Sequence, residues 1–328
     1  MDASGATPTG RFAPSPTGPL HLGSLVAALG SWLFARAKGG RWLVRMEDLD
    51  TPRVVPGAAD DILRTLERFG LTWDGEVFHQ STRLSHYEAA LEDLLRRKEV
   101  YACACSRSDI ARAASAPVAG EDDGDEGPSN ARRAAADAGA GGAAPRGSIY
   151  PGTCRSGLAP GKAARAYRFR TAGCRISFEE VLRGPLFEDV EKTVGDFVVR
   201  RADGPYAYQL AVVVDDAAQG VTEVVRGSDL LGSTARQIAL QRALCLPTPA
   251  YAHLPLVLGA DGRKLGKRDG ALPLETLGET RVRGALAFAL GVLGQEPAAG
   301  SPREMLESAR RRFDPGRVPV RQPEGAGS

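Results

Sequence analysis

The chain has 328 residues, of which 43% are hydrophobic and 25% charged, a balance that lets a globular protein bury a core, and its length admits two domains or one domain with an insertion. A formal net charge of +2 excludes a polycation, so any nucleic-acid surface has to be local. No apolar run approaches the ~18 residues of a membrane span, the first ten residues lack a secretory-signal pattern, and five unevenly spaced cysteines argue against a disulfide framework; a cytoplasmic protein is expected.

The first ordered stretch, "RFAPSPTGPLHLGS" at residues 11–24, is stiffened by three prolines that fix φ. It runs into the helix "SLVAALGSWLFARAKGG", for which Ser24 is the expected N-cap and Gly39-Gly40 the stop, with Leu25, Leu29, Trp32 and Leu33 at helical spacing. The buried strand "RWLVRMEDLD" follows and gathers Glu47, Asp48 and Asp50 at its carboxyl end. Two amphipathic helices come next. "GAADDILRTLERFG" is expected to bury Ile62, Leu63, Leu66 and Phe69, and "LSHYEAALEDLLRRKEV" to bury Tyr87, Leu91, Leu94 and Leu95. Helices interleaved with short buried strands predict a parallel α/β sheet, whose ligands bind at the carboxyl ends of the strands.

The pattern breaks at Tyr101. Residues 111–148 hold no aromatic residue and no Leu, Ile or Met, too little apolar surface to offset the entropy of ordering, so disorder is expected there. "AYRFRT" then alternates Tyr167 and Phe169 with Arg168 and Arg170, as a half-buried strand does. From Asp196 the buried-strand pattern resumes in "YAYQLAVVVDD" and "VTEVVRGSD", followed by the helix "STARQIALQRALC", the strand "AHLPLVLG" and the basic loop "DGRKLGKRDG". The sheet is therefore expected in two halves, residues 1–100 and 194–272, split by an inserted subdomain at 101–193. Residues 273–328, with helices near "TRVRGALAFALGVLG" and "REMLESARRRF", make a short helical appendage.

Four clusters could carry chemistry. The opening loop puts His21 at a helix N-terminus, where free backbone N–H groups and the dipole suit a phosphate and Gly23 lets backbone come close; a rigid connection with an incidental histidine explains it equally. "KLGKR", residues 264–268, is a phosphate clamp if it lies beside that loop and a solvated basic loop otherwise. Cys103 and Cys105 in "YACACS", with Tyr150 and Cys154 in "IYPGTC", offer a zinc ion four ligands and would close the base of the 111–148 segment. The alternatives are reduced buried cysteines or a disulfide, and Cys174 and Cys245 read as packing residues. Finally, residues 138–178 hold seven basic residues and no acidic one, either a nucleic-acid surface or a solvated face.

Together these clusters resemble the class I aminoacyl-tRNA synthetases of the glutamyl branch. "RFAPSPTGPLHLGS" is similar to that branch's opening loop with its HIGH-type motif (His21 to Ser24), "KLGKR" to the KMSKS-type loop, and "VRMEDLD" and "VVDD…VTEVVRGSDLL" match in order and spacing. The resemblance implies a Rossmann-like α/β catalytic domain with an inserted zinc-containing α/β subdomain. Too few residues follow "KLGKR" for an anticodon-binding domain. That shortfall and the Cys-x-Cys…Tyr-x3-Cys arrangement are similar to the short glutamyl-Q tRNA(Asp) synthetases. Members of that family activate L-glutamate with ATP, forming glutamyl-adenylate without tRNA, and transfer glutamate to the queuosine base in the tRNA(Asp) anticodon.

By the same resemblance Arg11 and Arg226 hold glutamate, Ser15 and Glu47 meet its α-carboxylate and amino ends, and Phe12, Ala13, Pro14 and Tyr208 line its pocket. His21, Gly23, Ser24, Lys264 and Lys267 meet ATP, with His21, Lys267 and Lys264 in the catalytic role; Mg2+ is expected with ATP, and zinc on Cys103, Cys105, Tyr150 and Cys154. Gly266 replaces the usual serine of the KMSKS-type loop, and the segment between the zinc knuckles is longer than the family's. A monomer is expected. A truncated glutamyl-tRNA synthetase charging tRNA(Glu) and a non-catalytic RNA-binding paralogue are the alternatives.

Overall fold

The computed structural model describes residues 7–106, 108–110, 149–258 and 274–320. Strand β1 (Thr9–Phe12) pairs in parallel with β2 (Arg41–Met46), and β2 with the short β3 (Phe78–His79). Helices α1 (Leu22–Arg36), α2 (Ala58–Arg68) and α3 (Leu84–Arg96) alternate with them as the sequence leads one to expect. A second sheet places β9 (Glu223–Gly227) parallel to β10 (Ala250–Leu254), and β10 parallel to β6 (Arg175–Glu180), with β7 (Gly184–Asp189) antiparallel at its edge. The two sheets meet at β1 and β9: the Thr222 N–H donates to the Thr9 carbonyl and the Thr9 N–H to Thr222 Oγ1, both at 2.9 Å. The carboxyl ends of β1, β2, β9 and β10 thus open on one side, as in a doubly wound α/β fold.

A third, antiparallel sheet is built from β4 (Val100–Cys103), β5 (Ala166–Phe169) and β8 (Phe197–Arg200). The insertion expected at 101–193 does not follow these boundaries, because β6 and β7 join the main sheet and β8, beyond 193, joins the small one. Short half-polar strands such as "RISFEE" carry no mark of which sheet they will pair with. A bulge between Tyr167 and Arg168 breaks the expected alternation of β5, so Ala166 and Phe169 are the buried residues and Tyr167 is half-buried.

One element has the wrong type in the sequence reading. "YAYQLAVVVDD" forms helix α5 (Tyr208–Ala218), after the one-turn α4 (Val190–Thr193). Its valines favour a strand locally, but Leu210, Ala211, Val212 and Val213 are all buried, and a run buried on every side has no period to reveal its geometry. Ser24 is not the cap of α1 either: His21 occupies that position, and its ring Nδ1 accepts from the Gly23 and Ser24 amides.

Helix α1 is buried almost all round because it lies between the sheet and the C-terminal helices α7 (Glu279–Val292) and α8 (Pro302–Arg312), which follow α6 (Thr234–Ala243). Gly30 allows this approach, since a Cβ there would collide with Leu254 Cδ1 of β10. Val282, Leu286, Leu290 and Leu306 of the C-terminal region belong to the same core as Leu29, Trp42 and Val44, so this short region is packed into the catalytic domain. A second core gathers α3, α5 and α6 against β6, β8, β9 and β10. The third, among the described residues, is Tyr101, Cys103, Tyr150 and Cys154 with three half-buried neighbours. Residues 111–148, expected to be disordered, lie outside the described residues.

Candidate active site

A cleft of about 1400 Å³ opens at the carboxyl ends of β1, β2, β9 and β10 and is flanked by the small antiparallel sheet. The loop after β1 forms one wall, Arg11 to Ser15 and Thr17 to His21 among its lining, and it is pinned from outside. The Glu47 N–H donates to the Pro14 carbonyl and the Val55 N–H to the Pro16 carbonyl, both at 2.9 Å. Proline supplies no amide of its own, so its carbonyls are the anchors such a loop has left.

His21 ends this loop. Its Nδ1 accepts from the amides of Gly23 (3.1 Å) and Ser24 (3.3 Å), which puts the proton of the neutral ring on Nε2. The first amides of α1 are therefore already engaged, not free as the sequence suggested. The imidazole ring lines the cleft beside Gly23 and Ser24.

Arg11 is 3% exposed and donates from Nε to Asp216 Oδ1 (3.1 Å). Arg45, wholly buried in β2, donates to the same oxygen (2.8 Å), to Gln219 Oε1 (2.7 Å) and to Glu47 Oε1 (3.4 Å). Burial opposes the Asp216 charge, yet the two arginines more than offset it and hold its carboxyl below the usual range. For Glu47 the balance goes the other way. Burial raises its pKa despite Arg45 and Arg11, and its carboxyl lines the cleft where an incoming ammonium group could meet it. The neighbouring Asp215 accepts from Gln80 Nε2 (2.9 Å), Arg83 Nε (2.6 Å) and the Tyr87 hydroxyl (2.8 Å).

Across the cleft Arg226 leaves β9 5% exposed, with the Tyr208 hydroxyl accepting from its Nη1 at 3.3 Å. Of the residues expected to meet glutamate, Arg11, Phe12, Ala13, Pro14, Ser15, Glu47, Tyr208 and Arg226 all line this one cleft. Lys264, Gly266 and Lys267 lie outside the described residues. Sequence reasoning missed Arg45, Asp215, Asp216, Glu180 and His253, which hold the site from behind. Their only signal is a charge inside an apolar run, as in "RWLVRM" or "AVVVDD".

At the small sheet, Cys103 at the end of β4, Cys105 and Cys154 place their sulfurs within 4.8 Å of one another. The Tyr150 oxygen lies 3.4 Å from Cys103 Sγ and 3.6 Å from Cys105 Sγ, and it accepts from the Cys154 amide at 2.9 Å. Three thiols and a phenol converging from two short knuckles fit the donor number and softness of a tetrahedral zinc site, and none of the thiols is in a disulfide. Of the basic run at 138–178, residues 138–148 lie outside the described residues, and the described part is less of a surface than its charge suggests. Arg155 is bidentate on buried Asp196 (2.6 and 2.9 Å), Arg168 donates to the Asp196 carbonyl (2.8 Å) and Arg170 to the Arg155 carbonyl (2.8 Å). Arg165 and Arg168 also line the cleft.

The family described as tRNA synthetases class I (E and Q), catalytic domain, matches residues 9–132 and 165–301. A glutamyl-Q tRNA(Asp) synthetase of Geobacter sulfurreducens is 53% identical over 317 residues, 95% of this chain and 93% of its own length. One from Aromatoleum aromaticum is 52% identical over 297 residues, 90% and 84% of the two chains. Among solved structures, a glutamate-tRNA synthetase from Elizabethkingia anophelis matches with a TM-score of 0.71 and 25% identity, over 95% of this chain and 67% of that one. With its catalytic-domain match spanning most of the sequence and half its residues shared with such relatives, the chain belongs to the glutamyl-Q tRNA(Asp) synthetase family of class I tRNA synthetases.

Proposed function

We propose that this chain activates L-glutamate with ATP and transfers it to the queuosine base in the anticodon of tRNA(Asp). The observation that carries the first half is the convergence of two buried arginines, Arg11 and Arg226, and the carboxyl of Glu47 on one cleft. A dicarboxylic amino acid needs such a set: guanidinium forks for its carboxylates and a carboxylate for its ammonium group. The carboxylate oxygen of glutamate attacks the α-phosphorus of ATP, the bond to pyrophosphate breaks, and glutamyl-adenylate forms. No enzyme nucleophile takes part, so rate comes from alignment and from stabilising charge on the phosphate. The Nε2–H of His21 supplies that stabilisation from one side. Lys264 and Lys267, outside the described residues, add to it in this reading, and Mg2+ accompanies ATP. A nucleophilic group on the base then attacks the acyl carbon and AMP leaves. Arg165, exposed on the rim toward the small sheet, suits the tRNA backbone.

In the same reading Cys103, Cys105, Tyr150 and Cys154 hold one structural zinc ion, which would fasten the small sheet beside the cleft. The protein works in the cytoplasm as a monomer.

The test is transfer of labelled glutamate to queuosine-containing tRNA(Asp), with queuosine-free tRNA(Asp) and tRNA(Glu) as controls. Only the first should be labelled, and glutamate-dependent ATP–pyrophosphate exchange should run without tRNA. Labelling of tRNA(Glu) would point to a truncated glutamyl-tRNA synthetase, and absence of exchange to a non-catalytic paralogue. Arg11→Ala and Arg226→Ala should each raise the glutamate KM about 30-fold, corresponding to ~2 kcal/mol for a charge left without its partner.

A further inference from the structure

Arg226 is a buried cation whose acceptors are all neutral. Its Nε donates to His253 Nε2 (3.2 Å), its Nη1 to Gln237 Oε1 (2.8 Å) and Tyr208 Oη (3.3 Å), and its Nη2 to Thr234 Oγ1 (2.8 Å) and the Leu230 carbonyl (3.3 Å). Among the described residues no carboxylate pairs with it, whereas Arg11, Arg45 and Arg83 each meet an aspartate. The five contacts also divide by side. The two long ones, Tyr208 and Leu230, are to residues that line the cleft, one on each terminal nitrogen. The shorter contacts to Gln237 and Thr234, and the one to His253, come from behind. A carboxylate entering the cleft would replace the two long contacts with a matched pair and leave the rear ones in place.

The rear contact on Nε is fixed by a second buried group. Glu180 is wholly buried on β6 and receives the His253 amide (2.6 Å), the Leu182 and Arg183 amides (2.9 and 2.6 Å) and Arg183 Nη1 (3.2 Å). It also lies 3.1 Å from His253 Nδ1. The Arg226 Nε–H is an obligatory donor, so His253 Nε2 is the acceptor and Nδ1 carries the proton toward Glu180. Burial, with help from the Arg226 charge, pushes the His253 pKa down to about 4 against the pull of Glu180, which keeps the ring neutral near pH 7.

We propose that His253, oriented by Glu180, is a positioning and specificity residue: it fixes the Arg226 guanidinium through a neutral acceptor and leaves the arginine's charge for the substrate carboxylate. A carboxylate bonded directly to Arg226 would orient it as well but would neutralise it. The pocket would then lose its preference for glutamate over glutamine, which differ at that end by one charge. This inference rests on Arg226 being a glutamate ligand.

Gln237→Glu is the direct test. It changes one neutral acceptor into a carboxylate at almost constant shape, and Gln237 Nε2 has no partner to lose. In ATP–pyrophosphate exchange with the full chain, Gln237→Glu should raise the glutamate KM at least about tenfold and shrink the preference over glutamine comparably, with kcat and the ATP KM within about twofold. His253→Gln, which keeps a neutral acceptor, should stay within about threefold of the parent KM, whereas His253→Leu should raise it about tenfold without moving the ATP KM. A parent-like glutamate KM in Gln237→Glu, beside a raised KM in Arg226→Ala, overturns the proposal and leaves the glutamate reading standing. A parent-like KM in Arg226→Ala overturns that reading itself. Should Gln237→Glu fail to fold, the histidine pair decides, and equal glutamate KM values in Gln and Leu variants overturn the proposal.

Discussion

Glu47 shows how a single side chain is set by competing terms. Two guanidinium groups favour its charge, burial opposes it more strongly, and the net result is a carboxyl above its ordinary 4.5. If Glu47 must be ionised to pair with the ammonium of glutamate, the glutamate KM should climb on acidification at a pH above that of an ordinary glutamic acid. Glu47→Gln should raise KM at neutral pH and flatten the pH profile, which pyrophosphate exchange measures across a buffer series. The motifs around Arg11, Glu47 and Arg226 are specific enough to have singled them out in the sequence, and the structure brings all three to one cleft. Arg45, Asp216, Glu180 and His253 were not singled out. A charged residue in an apolar run announces that it is buried, and its partner is settled by tertiary structure, as with Arg45 and Asp216, 171 residues apart.

Helix α1 comes so close to β10 that Gly30 leaves no room for a Cβ beside Leu254. Gly30→Ala adds a better helix former, a gain of about 1 kcal/mol, but it forces a methyl into the fully buried Leu254 side chain, an overpacking cost of about 1–3 kcal/mol. The second effect should win, and thermal unfolding should show a lower Tm for this variant. The metal knuckles make the opposite case, an element with too little core. Among the described residues four buried side chains make up the third cluster, so if the proposed zinc site is right, Cys154→Ser should lower the zinc content from about one per chain and loosen the small sheet to proteolysis. The helices with one apolar face, α2 and α3, could be read from their spacing. Helix α5 could not, because periodicity is a contrast between sides and α5 is buried along most of its length.

For the molecule as a whole, the buried network predicts a dependence of stability on pH. The folded state holds His253 near 4 against an ordinary value of 6.5, so between those values the unfolded chain binds more protons than the folded one. Stability should therefore fall as the pH drops from 6.5 toward 4, by about 3 kcal/mol for this one wholly buried ring. Glu180, held below its usual range by His253 and Arg183 against its burial, adds to the loss at the acid end. Urea midpoints measured across that range should decline more steeply for the parent than for His253→Gln. The parallel α/β character of the sheet and the placing of the cleft at the carboxyl ends of its strands were legible from the alternation of elements. The exchange of strands between the sheets was not, since pairing choice resides in neither strand alone.

Helix α5 touches both arginines: Tyr208, its first residue, meets Arg226, and Asp216, eight residues later, holds Arg11. At 1.5 Å per residue these anchor points stand about 12 Å apart along a rigid rod. On the proposed reading, in which both arginines hold glutamate, the helix is a caliper whose jaws are the two guanidinium groups, and the length of amino acid the cleft would accept is gauged by a count of residues in α5. A one-residue insertion within α5 would turn one jaw by about 100° relative to the other, and the gauge would be lost even with every pocket residue intact.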